Sequence, residues 1–186
     1  MKYIHTLTAA RRAIDNGYII AYPTESVYGL GCDPFNQQAV LQLLALKQRN
    51  IDQGLIILIA TWDQLFHLTQ SVSKHLLDTV KATWPGHITW LFPKSDIIPE
   101  YVSGAHNSIA IRMTAHPIAH ALCESGPIIS TSANISGQAP AKDIQTLTAQ
   151  FKQQLYGVLS GNLGNAAQPS AIYDVLTQRC IRKGSI

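Results

Sequence analysis

The sequence has few of the features that mark exported, membrane-spanning or disulfide-rich proteins. Three cysteines occur in 186 residues, at Cys32, Cys123 and Cys180. They form no CxxC pair, which argues against a zinc ribbon and a disulfide framework and favours a reducing compartment. No apolar run approaches the roughly 20 residues that cross a bilayer, and the N-terminal segment lacks a signal-peptide pattern. We therefore expect a cytoplasmic protein with no membrane partner.

Common nucleotide-binding and hydrolase motifs are also missing. The sequence has no Walker A loop, no GxGxxG turn, no GxSxG elbow and no HExxH helix, so the patterns indicate neither a standard phosphate loop nor a serine nucleophile. His116 and His120 are four residues apart, but no third metal ligand is near. A helix that begins at His116 and continues with Pro117 explains them better, and we predict no protein-bound metal site.

Charge is scarce and mildly positive. Charged residues make up 13% of the chain, and 14 Lys and Arg against 11 Asp and Glu give a net charge of +3. That balance is compatible with a phosphate-bearing ligand or with RNA, but it establishes neither. Hydrophobic residues make up 46%, which is enough for a sizeable core. We expect one domain over residues 1–186.

Helical and strand patterns alternate, which predicts an α/β domain. The strand candidates are nearly continuous apolar runs, as in a sheet that is buried on both faces. Predicted strands cover residues 18–22, 54–60, 87–92, 108–113, 127–131 and 171–176. Predicted helices cover residues 8–17, 36–47, 62–68, 72–83, 116–124 and 143–155.

Small polar side chains collect where a predicted strand ends. Residues 127–141, PIISTSANISGQAPA, run from an apolar strand into a cluster that includes Ser132, Asn134 and Gly137. Because ligands of open α/β sheets bind outside strand ends, this segment is a candidate ligand site. A turn of Ser and Asn that caps the next helix is the alternative explanation.

Three basic residues occupy positions that need a partner. Lys47 follows Val40 by seven residues on the apolar stripe of its helix, so its ammonium must reach water or an anion. Together with Arg49 it suits a polyphosphate, although a cation at a helix C-terminus is an equally simple explanation. Arg112 ends an apolar strand, where its partner is either an internal carboxylate or the carboxylate or phosphate of a ligand.

Taken together, five segments resemble the YrdC-like family of threonylcarbamoyl-AMP synthases, in its short bacterial form. They are AYPTESVYGLGCDP, LKQR…GLIILI, WPGHITWLFP, IAIRMTAHP and ISTSANISGQAPA, and the resemblance extends over residues 8–176. PTExxYGLG, KxR and SxN are weak motifs individually, but their joint order is highly specific. The resemblance implies a twisted mixed sheet flanked by helices, with a positive concave face.

The resemblance also implies an activity. A nucleotidyltransferase of this family converts L-threonine, bicarbonate (or carbon dioxide) and ATP, with Mg²⁺ accompanying the ATP, into L-threonylcarbamoyl-AMP and pyrophosphate. The product supplies a partner complex that modifies an adenosine of tRNA, and weak direct binding of tRNA is a further expectation. The rival interpretations are an RNA-binding module and a regulatory nucleotide-binding domain without catalysis.

Functional positions of the family carry over to eight residues of this sequence. The residues expected to contact L-threonine are Thr24, Arg112 and Ser132. The residues expected to contact ATP are Lys47, Arg49, Ser108, Asn134 and Ser170. The expected catalytic set is Lys47, Arg49, Ser132 and Asn134.

Overall fold

A computed structural model describes residues 1–184, so the last two residues of the expected 1–186 domain lie outside it. The strands in this range are β1 (Tyr3–Ile4), β2 (Ile20–Pro23), β3 (Tyr28–Gly31), β4 (Ile56–Ile59), β5 (Ile88–Pro93), β6 (Ser108–Met113), β7 (Ile128–Ser132), β8 (Gly157–Leu159), β9 (Ala171–Asp174) and β10 (Cys180–Arg182). The α-helices are α1 (Leu7–Asp15), α2 (Gln37–Lys47), α3 (Trp62–Leu68), α4 (Lys74–Lys81), α5 (Glu100–Ser103), α6 (Pro117–Cys123) and α7 (Ile144–Phe151).

The strands form a single mixed sheet. Within residues 1–184, ten strands lie in the order β1-β8-β2-β3-β7-β4-β6-β5-β9-β10. The neighbouring pairs β1–β8, β8–β2, β4–β6 and β5–β9 are parallel, and the others are antiparallel. The expected α/β class, with a mixed sheet flanked by helices, is confirmed.

Alternate residues of the central strands enter two different cores. Along β4, Leu58 packs with residues of α1 and α6, whereas Ile57 and Ile59 pack into a larger cluster that includes α2 and α7. Side chains of a strand point to opposite faces in turn, so both faces of the sheet are covered. Each fully buried Leu or Ile contributes about 1.5–3 kcal/mol, which explains why the strands are apolar without alternation.

The helix ends follow local sequence signals closely. The side chain of Asn36 accepts a hydrogen bond from the amide of Ala39, so the expected cap and helix at residues 36–47 are confirmed. Thr61 and Gln64 form a capping box at the start of α3. The helix predicted over residues 143–155 is too long, because α7 ends at Phe151 and the next residue adopts a positive φ of 48°.

The sequence analysis did not predict four of the strands, namely β1, β3, β8 and β10. The preceding strand was predicted to end at residue 22, but Pro23 belongs to β2 and pairs with Tyr28, the first residue of β3. Its sequence, YGLG, is typical of a turn. The glycines are there because the Tyr22 ring crosses the strand: a Cβ at Gly31 would lie 2.7 Å from ring atom Cε1 of Tyr22 and 2.8 Å from the carbonyl oxygen of Ile129. The other three strands have two or three residues, too few to show a period.

None of the helices within residues 1–184 combines the length and the apolar character that a membrane span requires.

Candidate active site

A cavity of about 150 Å³ is lined by residues of β3, β4, β6, β7 and β10 and of the segments that connect the strands. Residues from distant parts of the chain line it, including the hydroxyl residues Ser26, Ser130 and Thr131 and the imidazole of His87. Five of the eight expected site residues also line this cavity: Thr24, Arg49, Arg112, Ser132 and Ser170. Sheet topology thus brings together five expected residues that are spread over positions 24 to 170 of the sequence.

A second cavity, of about 240 Å³, adjoins the first. Arg49 and Arg182 line both, and the expected nucleotide residue Ser108 lines the second cavity. Its walls are mostly apolar and include Leu91, Ile172 and Ile181. The two cavities therefore present a polar, hydroxyl-rich chamber beside an apolar one, with two guanidinium groups at the boundary.

Three arginines converge on the first cavity. Partial burial lowers the pKa of Arg182, and the positive charges of Arg49 and Arg112 lower it further, so both of these arginines lie within electrostatic range of Arg182. Arg182 donates to the carbonyl oxygen of Ser170 at 2.8 Å, and Arg49 donates to that of Gly54 at 2.9 Å. The Nε atom of Arg49 is buried and has no hydrogen-bond partner within residues 1–184. An anion would relieve both the repulsion and the unpaired donor.

Arg112 forms a close ion pair with Glu25. Its Nη1 atom lies 2.6 Å from Oε1 of Glu25, and the hydroxyl of Thr114 donates to the same oxygen at 2.6 Å. Burial alone would raise the pKa of Glu25, but the charge of Arg112 and the hydrogen bonds from Arg112 and Thr114 outweigh it and lower the pKa to about 2. Of the two partners expected for Arg112, the internal carboxylate is present, and Arg112 also lines the cavity.

Lys47 has a different partner from the one we expected. The residue is 2% exposed, and its Nζ atom donates to the carbonyl oxygens of Ser132 at 2.5 Å and Asn134 at 2.7 Å, with Oδ1 of Asn134 at 3.5 Å. The expectation that its ammonium reaches water or an anion is wrong, because two backbone carbonyl oxygens and the side-chain amide oxygen of Asn134 accept from it. Burial, with a smaller effect of Arg49, lowers the pKa of Lys47 to about 8. A direct contact with ATP stays a prediction.

The turn after β7 is shaped by its own side chains. The hydroxyl of Ser132 donates to Oδ1 of Asn134 at 2.6 Å, and Nδ2 of Asn134 donates to the carbonyl oxygens of Ile135 and Gln138 at 3.0 and 2.9 Å. The alternative explanation, a cap for the next helix, is wrong, because Asp143 caps α7. Ser132 lines the cavity, whereas Asn134 holds the turn that presents it.

Two further expected residues, Thr24 and Ser170, are also held by hydrogen bonds. The hydroxyl of Thr24 donates to the carbonyl oxygen of Val27 at 2.7 Å, within the turn between β2 and β3. The hydroxyls of Ser170 and Thr89 are 2.9 Å apart across the parallel pair of β9 and β5. These contacts fix the side chains before any ligand is present, which reduces the entropic cost of binding.

Three residues of the site were missed in the sequence, namely Glu25, His87 and Arg182. Glu25 follows Thr24 directly within PTE, so the motif itself was the available signal. Nε2 of His87 lies 2.8 Å from the carbonyl oxygen of Gln168, and only the fold reveals this contact. Arg182 is on a strand of three residues that has no recognisable pattern.

The site and the fold together define an α/β protein with a cavity that is lined by guanidinium and hydroxyl groups. The Sua5/YciO/YrdC family model, described as telomere recombination, matches residues 12–184. The chain belongs to this family.

Two relatives are similar over nearly their full length, and both are named threonylcarbamoyl-AMP synthase. The protein of Coxiella burnetii (strain RSA 493 / Nine Mile phase I) is 43% identical over 182 residues, which cover 97% of this chain and 98% of the relative. The protein of Methylococcus capsulatus (strain ATCC 33009 / NCIMB 11132 / Bath) is 48% identical over 178 residues, which cover 95% and 96%.

Solved structures share the fold. The Sua5 protein of P. abyssi, solved in complex with L-threonine, superposes with a TM-score of 0.86 at 32% identity. The match covers 94% of this chain and 54% of that one, so this chain spans about half the length of Sua5. YciO of E. coli superposes with a TM-score of 0.85 at 23% identity and covers 98% of this chain and 94% of its own, which supports the fold.

Proposed function

We propose that this chain is a threonylcarbamoyl-AMP synthase. It forms L-threonylcarbamoyl-AMP and pyrophosphate from L-threonine, bicarbonate or carbon dioxide, and ATP with its Mg²⁺. The observation that carries the proposal is the convergence of Arg49, Arg112 and Arg182 on one hydroxyl-lined cavity. The full-length relatives that bear this name support it.

The charge of the cavity suits these substrates. Within residues 1–184, three guanidinium groups line the cavity and one of them pairs with the carboxylate of Glu25, which leaves two unpaired positive charges beside small hydroxyl donors. Triphosphate and amino-acid carboxylate are both anions that Arg binds through paired N–H donors. The phosphate-bearing substrate would offset the repulsion among the three arginines, which a neutral ligand could not do.

Each chamber suits a different part of the reactants. We place the carboxylate of L-threonine against Arg112, with Thr24 and Ser132 beside it. A Sua5 relative was solved in complex with L-threonine, which supports L-threonine as a substrate of this chain. The phosphates lie against Arg49 and Arg182, which form the boundary between the two cavities.

The apolar second cavity receives the adenosine, with Ser108 at its wall and the aliphatic side chains of Ile172 and Ile181 against the base. Ser170, which Arg182 contacts through its carbonyl oxygen, lies close to the phosphates. Lys47 and Asn134 contribute indirectly, because they hold the turn that carries Ser132.

The reaction needs two bond-forming steps. The ammonium group of L-threonine first loses a proton; if bicarbonate is the carbon source, it takes up a proton and dehydrates to carbon dioxide and water. The amine then attacks the carbon of carbon dioxide, and a second proton passes from the nitrogen to solvent to leave the carbamate. A carbamate oxygen then attacks the α-phosphorus of ATP, the bond from this phosphorus to the bridging oxygen breaks, and pyrophosphate leaves. Charge develops on phosphate oxygens, so positioned arginines accelerate the step without a protein nucleophile.

Magnesium enters this account as part of the ATP substrate. The side chains that line the cavity are mostly hydroxyl and guanidinium groups, and Oε1 of the carboxylate of Glu25 is held by Arg112 and Thr114. Such a donor set suits an ion that keeps its waters and is held largely by phosphate oxygens. The ion would neutralise charge on the phosphates.

The product is a labile mixed anhydride, which has to be used quickly. We propose that it passes to the complex that transfers the threonylcarbamoyl group to an adenosine of tRNA, and that this chain binds tRNA only weakly. The modest net charge of +3 supports weak binding.

Release of pyrophosphate tests the proposal. The purified chain is incubated with Mg-ATP, and L-threonine and bicarbonate are omitted one at a time. We expect release only when both are present. ATP binding without release would instead favour the regulatory nucleotide-binding domain, and micromolar RNA affinity with a steep salt dependence but no release would favour the RNA-binding module.

A further inference from the structure

We propose that Glu25 is a positioning residue, whose carboxylate orients the guanidinium of Arg112 toward the carboxylate of L-threonine. This inference rests on the proposed function, because it names how that site receives one of its substrates. The residue lies within PTE, between Thr24 and Ser26, which both line the cavity.

The contacts hold Arg112 from one side only. Nη1 of Arg112 lies 2.6 Å from Oε1 of Glu25 and 3.5 Å from Nδ1 of His87. Within residues 1–184 the Nη2 and Nε atoms of Arg112 form no hydrogen bond. Guanidinium binds carboxylate through two neighbouring N–H groups in a fixed plane. Fixing Nη1 therefore leaves the opposite edge, Nη2 and Nε, for a second carboxylate.

Glu25 is itself fixed by other parts of the fold. The amide of His116 donates to the hydroxyl of Thr114 at 3.1 Å, and that hydroxyl donates to Oε1 of Glu25 at 2.6 Å. The carbonyl oxygen of Glu25 accepts a hydrogen bond from the amide of Ala166 at 2.9 Å. The carboxylate thus has a rigid frame, which is what a group that orients another side chain requires.

The ion pair of Arg112 and Glu25 is largely buried, and Arg112 also lines the cavity. The side chains of Arg112 and Glu25 are 7% and 12% exposed. Oε2 of Glu25 is buried and forms no hydrogen bond within residues 1–184, and the imidazole Nδ1 of His87 lies 4.0 Å from it. An ion pair kept only for stability would gain from pairing both oxygens. This one instead concentrates its contacts on the oxygen that meets Arg112.

The test compares the affinities for the two substrates. Glu25→Ala removes the acceptor and frees Arg112 to turn, so we expect the dissociation constant for L-threonine to rise about tenfold or more, while that for ATP stays within about twofold. Glu25→Gln keeps an oxygen at the position of Oε1, so it should restore threonine affinity to within about threefold of the unmodified chain. Glu124→Ala, whose side chain is 65% exposed, is the control and should change neither constant.

A second background shows whether Glu25 acts through Arg112. In a chain that already carries Arg112→Ala, the change Glu25→Ala should weaken threonine binding no further. Equal losses in both backgrounds, or no loss in the unmodified background, would overturn the inference. If Glu25→Ala does not fold, Glu25→Asp takes its place: the shorter side chain withdraws the carboxylate from Arg112, and unchanged threonine affinity would again overturn the inference.

Failure of the inference can be told apart from failure of the proposed function. If the unmodified chain shows no threonine-dependent release of pyrophosphate and binds no L-threonine, the proposed function fails. If the unmodified chain is active and Glu25→Ala matches it at every threonine concentration, only the role of Glu25 fails.

Discussion

The Nζ atom of Lys47 lies 2.7 Å from the carbonyl oxygen of Asn134, although 87 positions separate the two residues. This contact joins the KxR motif at the end of α2 to the SxN motif after β7. A backbone hydrogen bond from the amide of Ser136 to the carbonyl oxygen of Lys47, at 2.8 Å, strengthens the connection. The ammonium therefore holds the turn that presents Ser132 to the cavity, and the two motifs work as one structural unit.

We predict that Lys47→Met weakens both the fold and the binding of ATP. The substitution leaves two buried carbonyl oxygens without their donor, so the free energy of unfolding should fall by about 1–3 kcal/mol. Binding of ATP should weaken by about 1–3 kcal/mol, because the turn loses its support. Denaturant titration and calorimetry measure the two effects, and Lys74→Met, at an exposed position, is the control. Unchanged ATP affinity in a folded Lys47→Met chain would contradict the prediction.

We predict that Arg112→Ala abolishes threonine-dependent turnover while binding of ATP largely survives. In the proposed arrangement the guanidinium of Arg112 receives the carboxylate of L-threonine, whereas Arg49 and Arg182 receive the phosphates; all three arginines line the first cavity. Steady-state rates at saturating ATP and direct titration with ATP separate the two functions. Equal loss of turnover and ATP binding would show that Arg112 serves the nucleotide instead.

Substitution of an arginine at the boundary between the two cavities should have the opposite effect to Arg112→Ala: it should weaken ATP binding and leave L-threonine binding nearly unchanged. Arg182→Gln is expected to reduce ATP affinity about tenfold, because it removes a charge-assisted contact to phosphate, and to leave the affinity for L-threonine nearly unchanged. The dependence of ATP affinity on salt should become weaker as well. Lys183→Gln, at the next and exposed position, provides a control of equal charge. The same loss of ATP affinity in both variants would mean that the net positive charge of this region, rather than the position of Arg182, determines ATP binding.

The ion pair of Glu25 and Arg112 makes stability depend on pH. The pKa of Glu25 falls from its ordinary value of 4.5 to about 2 in the folded chain. The contribution is present above pH 4.5, where both states are ionised, and is lost as pH falls toward 2, because the unfolded chain binds the proton first. The full effect is of the order of 3 kcal/mol. Glu25→Gln should flatten stability between pH 4.5 and 2, as denaturant titrations would show; an unchanged slope would rule out this origin.

Features set by neighbours in sequence were predictable, and those set across the fold were not. The cap at Asn36 and the helix that follows depend on contacts three positions apart, so the pattern of residues 36–47 was sufficient. The partners of Lys47 and Arg112 lie 85 to 87 positions away, and periodicity carries no information about them.

The positions of the motifs were predictable, but the functions of their members were only partly so. The resemblance identified Thr24, Arg49, Arg112, Ser132 and Ser170, which the fold brings to one cavity. It left out Glu25, because the partner of this carboxylate, Arg112, lies on a strand 87 positions further along. It also left out the strand character of YGLG, since only the Tyr22 ring explains why Gly31 must lack a side chain.

As a threonylcarbamoyl-AMP synthase, this chain would join the carbon of bicarbonate to L-threonine and to AMP. The most direct measurement supplies bicarbonate that carries an isotopic carbon label, together with L-threonine and Mg-ATP, and analyses the nucleotides by mass spectrometry. We expect the label in an adenylate with the mass of L-threonylcarbamoyl-AMP, formed with one pyrophosphate per molecule and only when L-threonine is present. Bound ATP with no labelled adenylate would contradict the account.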